Sequence, residues 1–368
     1  MAKRIRLACT AAALVPLALL AAACSSSSST PAASKSSPAA AALNASGKSI
    51  SETGSTLLFP LFGTWQTAYS TANPAVTITS GATGSGTGIA DASEGLVNIG
   101  ASDAYLSAAD LEKYPGLLNI PLAVASVDVY YNLPGIKSLN LNGTVLAQIY
   151  TGKITTWNDP AIAKLNPGAS LPSTKIVTLH RADSSGSSFL FTSYLSAQDP
   201  SAWPASNVGT TITWPSAPGA LAETGSGGMV TGCGGTKGCI AYIGISYQAK
   251  ATAAGLASAA LANKAGKYVQ DTPASVGAAL ASFPAAPSSG AESLINTSAA
   301  TGYPIINYEY AIVKKTQPSA AESKAVTAFL SWILTSGDSA KNLSTVGFVA
   351  LPSATLSTAQ SLVSSIGS

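Results

Sequence analysis

The chain has 368 residues, of which only 10% are charged, and its formal net charge is +3 with one histidine. Lys3, Arg4 and Arg6 sit in the opening segment; without them the 19 basic residues fall to 16, against 16 acidic ones. That neutrality leaves no basic field for nucleic acid. Any bound anion must be held by local donors, not by net charge.

Residues 1–23 read as a secretory signal. A basic start precedes an apolar run from Leu7 to Ala23 that is too short and alanine-rich for a stable membrane span. Cys24 follows Ala21-Ala22-Ala23, a pattern that resembles a bacterial lipobox. That resemblance implies that Cys24 becomes the lipidated first residue of the mature chain, on the outer face of the cell membrane. Ordinary secretion, with Cys24 incidental, is the alternative. Residues 24–47 are nearly all Ser, Ala, Pro and Thr and lack any apolar periodicity, so they are expected to form a tether. A coil of this length reaches roughly 25 Å.

The remaining stretch of about 320 residues exceeds what one core commonly supports and suggests two lobes. Strand-like runs occur at 76–79, 97–102, 117–124, 127–132, 175–181, 239–247 and 303–313, alternating with helix-like segments. An α/β chain with mixed sheets is expected. The alanine-rich segment 253–283 reads as helical, and 323–337 as an amphipathic helix with Val326, Phe329, Leu330 and Ile333 on one face. Cys233 and Cys239, the two cysteines left after export, are expected to form a disulfide in a glycine-rich loop. With no further ligand nearby in sequence, they make a poor metal site.

Four junctions share one design, small or polar residues where a helix begins. They are Gly54–Tyr69, with Ser55 or Thr56 as cap; the Gly/Ser/Thr loop at 80–95; the strand end at Ser102-Asp103; and HRADSSGSSF at 180–189. Taken singly, each is most simply a helix cap. Together, with an arginine and two aspartates, they offer free N–H donors and partial positive charge suited to a tetrahedral oxyanion. A serine hydrolase is disfavoured, because His180 is the one candidate base and alternates with Arg181 along a strand. If Arg181 faces the site, His180 faces away. No G-x-S-x-G elbow occurs in the chain.

The segments GSTLLFPLFGTW, TGSGTGI, NIGASDAYLS, HRADSSGSSFLFTSYLS, AYIGISY and YPIINYEYAIV follow one another in this order. Together they resemble the substrate-binding proteins of bacterial ABC-type phosphate importers over roughly residues 50–350. The resemblance implies a two-lobed type II periplasmic-binding-protein fold, no enzymatic activity, no metal or organic cofactor, and an ABC permease as partner. It further implies lobes of residues 48–124 with 305–368, and of 125–304, crossing near 121–129 and 303–313. Position by position, it places Thr56, the N–H of Leu57, Ser85, Asp103, Arg181, Ser185, Gly186 and Ser187 on inorganic phosphate, with Asp183 holding Arg181. Asp103, a carboxylate facing an anion, makes sense where the ligand brings a proton to donate, which sulfate does not near neutral pH. Another oxyanion receptor and a secreted phosphoesterase are the rival readings.

Overall fold

The computed structural model describes residues 49–368. The expected leader, Cys24 and the tether at 24–47 lie outside the described residues. Twelve strands are formed among the described residues: β1 (Ser49–Gly54), β2 (Thr77–Thr79), β3 (Ile99–Ser102), β4 (Leu117–Tyr131), β5 (Asn140–Leu141), β6 (Val177–Arg181), β7 (Leu221–Glu223), β8 (Cys239–Gly244), β9 (Ala257–Ser258), β10 (Ala260–Ala262), β11 (Tyr268–Val269) and β12 (Ile306–Lys314). The main sheet runs β2-β1-β3-β12-β4-β8-β6-β7, with β9 pairing beside β4.

Strand β4 organises this sheet. Its residues are buried on both faces almost throughout, which is why it reads as a continuous apolar run instead of an alternating one. Leu117–Ser126 pair with β12, and Val127–Tyr131 pair with β8. One strand thus carries two half-sheets, β2-β1-β3-β12 before the switch and β8-β6-β7 after it. The sequence suggested two strands, at 117–124 and 127–132, and the structure joins them into one.

Register shifts between Glu309 and Tyr310, where β12 passes Ala123 and Pro121 and skips Leu122. Pro121 has no N–H for the ladder, so a bulge there is the expected accommodation. Helix α1 (Phe59–Ala72) packs Phe62 and Tyr69 edge-on to Phe329 of the helix Ala320–Trp332. Trp65 donates to the carbonyl of Gly337 at 3.0 Å. This cluster covers one side of the first half-sheet.

Segment 253–283 departs from its helical reading. Helix is confined to Pro273–Leu280, opened by a Thr272 cap, while 257–269 supplies β9, β10 and β11. Alanine content is a weak prior that tertiary pairing overrides, and Gly255 and Gly266 at positive φ break the helical path. The glycine-rich stretch before Cys239 departs in the other direction. Gly225–Gly235 is a helix that holds Cys233, and the disulfide ties it to the first residue of β8.

A buried carboxyl pair lies just past the pairing switch. Asp128 accepts from the Val129 N–H at 2.8 Å and the Tyr303 hydroxyl at 3.2 Å. Burial, and then the charge of Asp271, raise Asp128 well above the usual carboxylate range. Burial pushes Asp271 up to about 7, against a smaller opposing effect of Ser126. Folded values above the unfolded value mean stability that is fully present near pH 4 and lost as pH rises through 7. Asp271→Asn is therefore expected to be more stable than the native chain at pH 8.5 by roughly 2–4 kcal/mol. At pH 4 the difference should be small. Thermal unfolding across pH 4–9 checks this, and parallel curves for the two proteins would refute it.

Candidate functional site

The site is assembled where chain segments leave the two half-sheets. From the first come the β1–α1 turn, helix α2 (Ser85–Glu94) and Asp103 at the end of β3. From the second come Arg181 at the end of β6, helix α3 (Gly186–Gln198) and helix α4 (Gly225–Gly235). Those three helices begin with small or hydroxyl residues that leave backbone N–H groups accessible at the helix start, whereas α1 begins at Phe59-Pro60 behind the Ser55 turn.

Asp103 is the centre, 1% exposed. Its carboxylate accepts from Ser187 Oγ at 2.9 Å, from Ser55 Oγ, and from Ser85 Oγ at a long 3.5 Å. Its backbone is fixed as well, by Ser85 Oγ accepting from the Asp103 N–H and by Asn307 Nδ2 donating to the Asp103 carbonyl at 2.8 Å. Three hydroxyls from three separate segments, one turn and the first turns of α2 and α3, thus converge on one carboxylate. Ser55 also accepts from the N–H groups of Leu57 and Leu58, at 3.1 and 2.9 Å, so it caps the start of α1 while donating to Asp103.

Arg181 is buried at the end of β6. Its Nε donates to Asp183 Oδ1 at 2.6 Å and its Nη2 to Oδ2, the two-point geometry that a guanidinium fork favours. Burial pushes Asp183 up, but the hydrogen bonds and charge of Arg181, with the Gly225 N–H, outweigh it and hold the carboxyl below its usual range. The N–H of Arg181 itself donates to the Tyr242 hydroxyl, which also bonds Ser188. His180, the neighbouring strand residue, stacks on Trp214 with ring centres 5.1 Å apart. The pair therefore splits as strand alternation requires.

The half-sheets meet closely here. Gly84, at φ 96°, has its α-carbon so near Ser184 that an added Cβ would lie 2.5 Å from the Ser184 carbonyl oxygen and 2.9 Å from Asp183 Oδ2. The Gly86 N–H donates to that carbonyl at 3.1 Å. Thr56 Oγ1 lies 2.8 Å from Ser226 Oγ and accepts from the Ser226 N–H. Leu57 packs its side chain on Gly244, and its carbonyl accepts from Ser246 Oγ. Ser185 caps α3 by accepting from the Ser188 N–H. Thr56 and Leu57 in the β1–α1 turn, Ser85 at the start of α2, and Ser185, Gly186 and Ser187 at the start of α3 thus lie with Asp103 and Arg181 at this junction.

Sequence reasoning missed three participants. Ser55 was legible only as a cap, and Asn307 lies inside a strand with no motif of its own. Ser226 belongs to a further helix start, Thr224-Gly225-Ser226-Gly227, built like those of α2 and α3. Its Gly/Ser signature was available in the sequence.

A family model described as a PBP superfamily domain matches residues 29–336. The phosphate-binding protein PstS of Xylella fastidiosa (strain Temecula1) is 32% identical over 306 residues, covering 82% of this chain and 81% of that protein. The chain belongs to the PstS family of phosphate-binding proteins. This is a family of transport receptors, not of enzymes. A high-affinity periplasmic phosphate-binding protein (PfluDING) superposes with a TM-score of 0.69 at 24% identity, covering 85% of this chain and 93% of that one. The phosphate-binding protein of Stenotrophomonas maltophilia gives a TM-score of 0.67 at 21% identity, with the same coverage. The fold of this PstS-family chain is accordingly the type II periplasmic-binding fold, and β4, with its two pairing partners, is one of the strands that link its halves.

Proposed function

We propose that the chain is an extracytoplasmic receptor that binds inorganic phosphate and delivers it to an ABC importer, tethered through a lipidated Cys24. Residues 48–124 with 305–368 form one lobe in this reading, residues 125–304 form the other, and phosphate is held between them. The observation that carries the proposal is the meeting of a buried arginine and a buried, hydroxyl-lined aspartate at four helix starts from both half-sheets. Arg181 supplies charge. Thr56, the Leu57 N–H, Ser85, Ser185, Gly186 and Ser187 supply neutral donors around a tetrahedral anion. Asp103 supplies an acceptor, which a fully deprotonated anion cannot satisfy.

That acceptor is the basis for selectivity. Mono- and dihydrogen phosphate carry a proton to donate to Asp103. Sulfate carries none near neutral pH, and would place two unshared negative groups together in a dry site, at a cost of several kcal/mol. Calorimetry of the mature chain with phosphate and with sulfate tests the reading. Tight phosphate binding with no sulfate heat is expected; silence with phosphate, or preference for sulfate or molybdate, would sink it. In Asp103→Asn the amide donates to either anion. Phosphate affinity should fall on the order of tenfold to a hundredfold while sulfate becomes measurable. Equal losses for both anions would count against the acceptor role.

A further inference from the structure

Glu309 is the unexplained group nearest the site. It lies on β12, is fully buried, and neither of its carboxyl oxygens has a donor partner. The register of β3 with β12 pairs Ser102 with Tyr310, Ala101 with Ala311 and Gly100 with Ile312. Continuing that ladder by one residue sets Asp103 opposite Glu309. Cross-strand neighbours of this kind place their β-carbons about 5 Å apart. The bulge between Glu309 and Tyr310 falls at the same point, and bulges re-aim side chains beside functional sites. Asn307, two residues away on the same face of β12, already reaches the Asp103 carbonyl. The extended register therefore sets the Glu309 side chain beside that of Asp103, whose charge acts on it.

Two carboxyls side by side, both out of water, cannot both be ionised. The environment decides which keeps the proton. Asp103 accepts from the hydroxyls of Ser55, Ser85 and Ser187, all of which favour its charged form. Glu309 has no such donors. Its partner on β4 is Ala123, and Asp103 is the charged group acting on it. We propose that Asp103 and Glu309 share one proton, that it resides on Glu309, and that Glu309 donates it to Asp103 as a positioning residue. In this arrangement the proton needed to satisfy the ligand-facing side of Asp103 must come from the ligand. The functional consequence rests on the phosphate-binding reading; the proton pair itself does not.

Burial, followed by the charge and contact of Asp103, raises Glu309 well above the usual carboxylate range, in the direction the geometry requires. Infrared spectroscopy on the mature chain tests the pair without any ligand. Subtracting the Glu309→Gln spectrum from that of the native chain at pH 7 should leave a protonated-carboxyl C=O band. In Asp103→Asn, which removes the neighbouring charge, that band should titrate away at lower pH than in the native chain. No band in the difference spectrum, or an unshifted titration, overturns the proposal.

Calorimetry then reads the consequence. Glu309→Gln keeps a neutral donor and should bind phosphate within about threefold of the native chain, whereas Glu309→Leu should bind on the order of tenfold more weakly. Equal weakening in both variants contradicts the donor role. A native chain that shows the band yet takes up no phosphate would fail the proposed function alone.

Discussion

Arg181→Ala is expected to weaken phosphate binding on the order of a hundredfold to a thousandfold, the scale for truncating one member of a buried, hydrogen-bonded charge pair. A guanidinium has five N–H donors. Two of them, one on Nε and one on Nη2, are committed to Asp183, so the remaining edge of the fork is already oriented when an anion arrives. Asp183 is in turn held by the Gly225 N–H at 3.1 Å, which fixes the pair to the start of α4. Truncation removes both the charge and the preorganisation, and takes from Asp183 two of these three donors. A stability loss of roughly 1–3 kcal/mol should accompany the loss of affinity. Arg181→Lys restores a cation without the fork, so it should recover only part of the affinity. Phosphate and sulfate titrations of both variants decide the matter: Arg181→Ala within a few-fold of the native chain would remove Arg181 from the site.

The strand that carries Arg181 was legible because its signals are local. Alternation along 175–181 separates Arg181 from His180, and the Asp-Ser-Ser-Gly turn marks the helix start that follows. The same holds for Ser85, Ser185 and Ser187, each within a residue or two of a helix N-terminus. What stayed hidden depends on pairing across long sequence separations. Asn307 and Glu309 meet Asp103 only because β12 lies antiparallel to β3, roughly 200 residues away in sequence. No periodicity within YPIINYEYAIV states that register. The alanine-rich segment failed for a related reason, since β10 is held by pairing with β5, more than a hundred residues earlier. Propensity acts within a few residues, and these contacts do not.

The closeness of the two half-sheets yields the second large effect, and it separates binding from folding. A Cβ on Gly186 would stand 2.5 Å from Ser85 Oγ, 2.6 Å from Asp103 Cβ and 2.7 Å from Asp103 Cγ. The first obstacle is a rotatable hydroxyl. The other two are carbons next to the backbone, and the Asp103 backbone is held by Ser85 and Asn307, so neither can give way cheaply. Gly186→Ala should force α3 away from Asp103 and break the Ser187–Asp103 bond, and phosphate affinity should fall on the order of a hundredfold. The helix itself gains from alanine at that position, so the ligand-free chain should unfold within a few degrees of the native chain. Gly63 lies in α1 with nothing near its would-be Cβ, and Gly63→Ala serves as the control, stabilising by roughly 0.5–1 kcal/mol with binding unchanged. The decisive readout is the rise in melting temperature on adding phosphate. It should persist in full in Gly63→Ala and shrink in Gly186→Ala by the amount a hundredfold weaker binding dictates. Should Gly186→Ala keep that rise in full, the close approach of Gly186 to Asp103 is not part of the binding state.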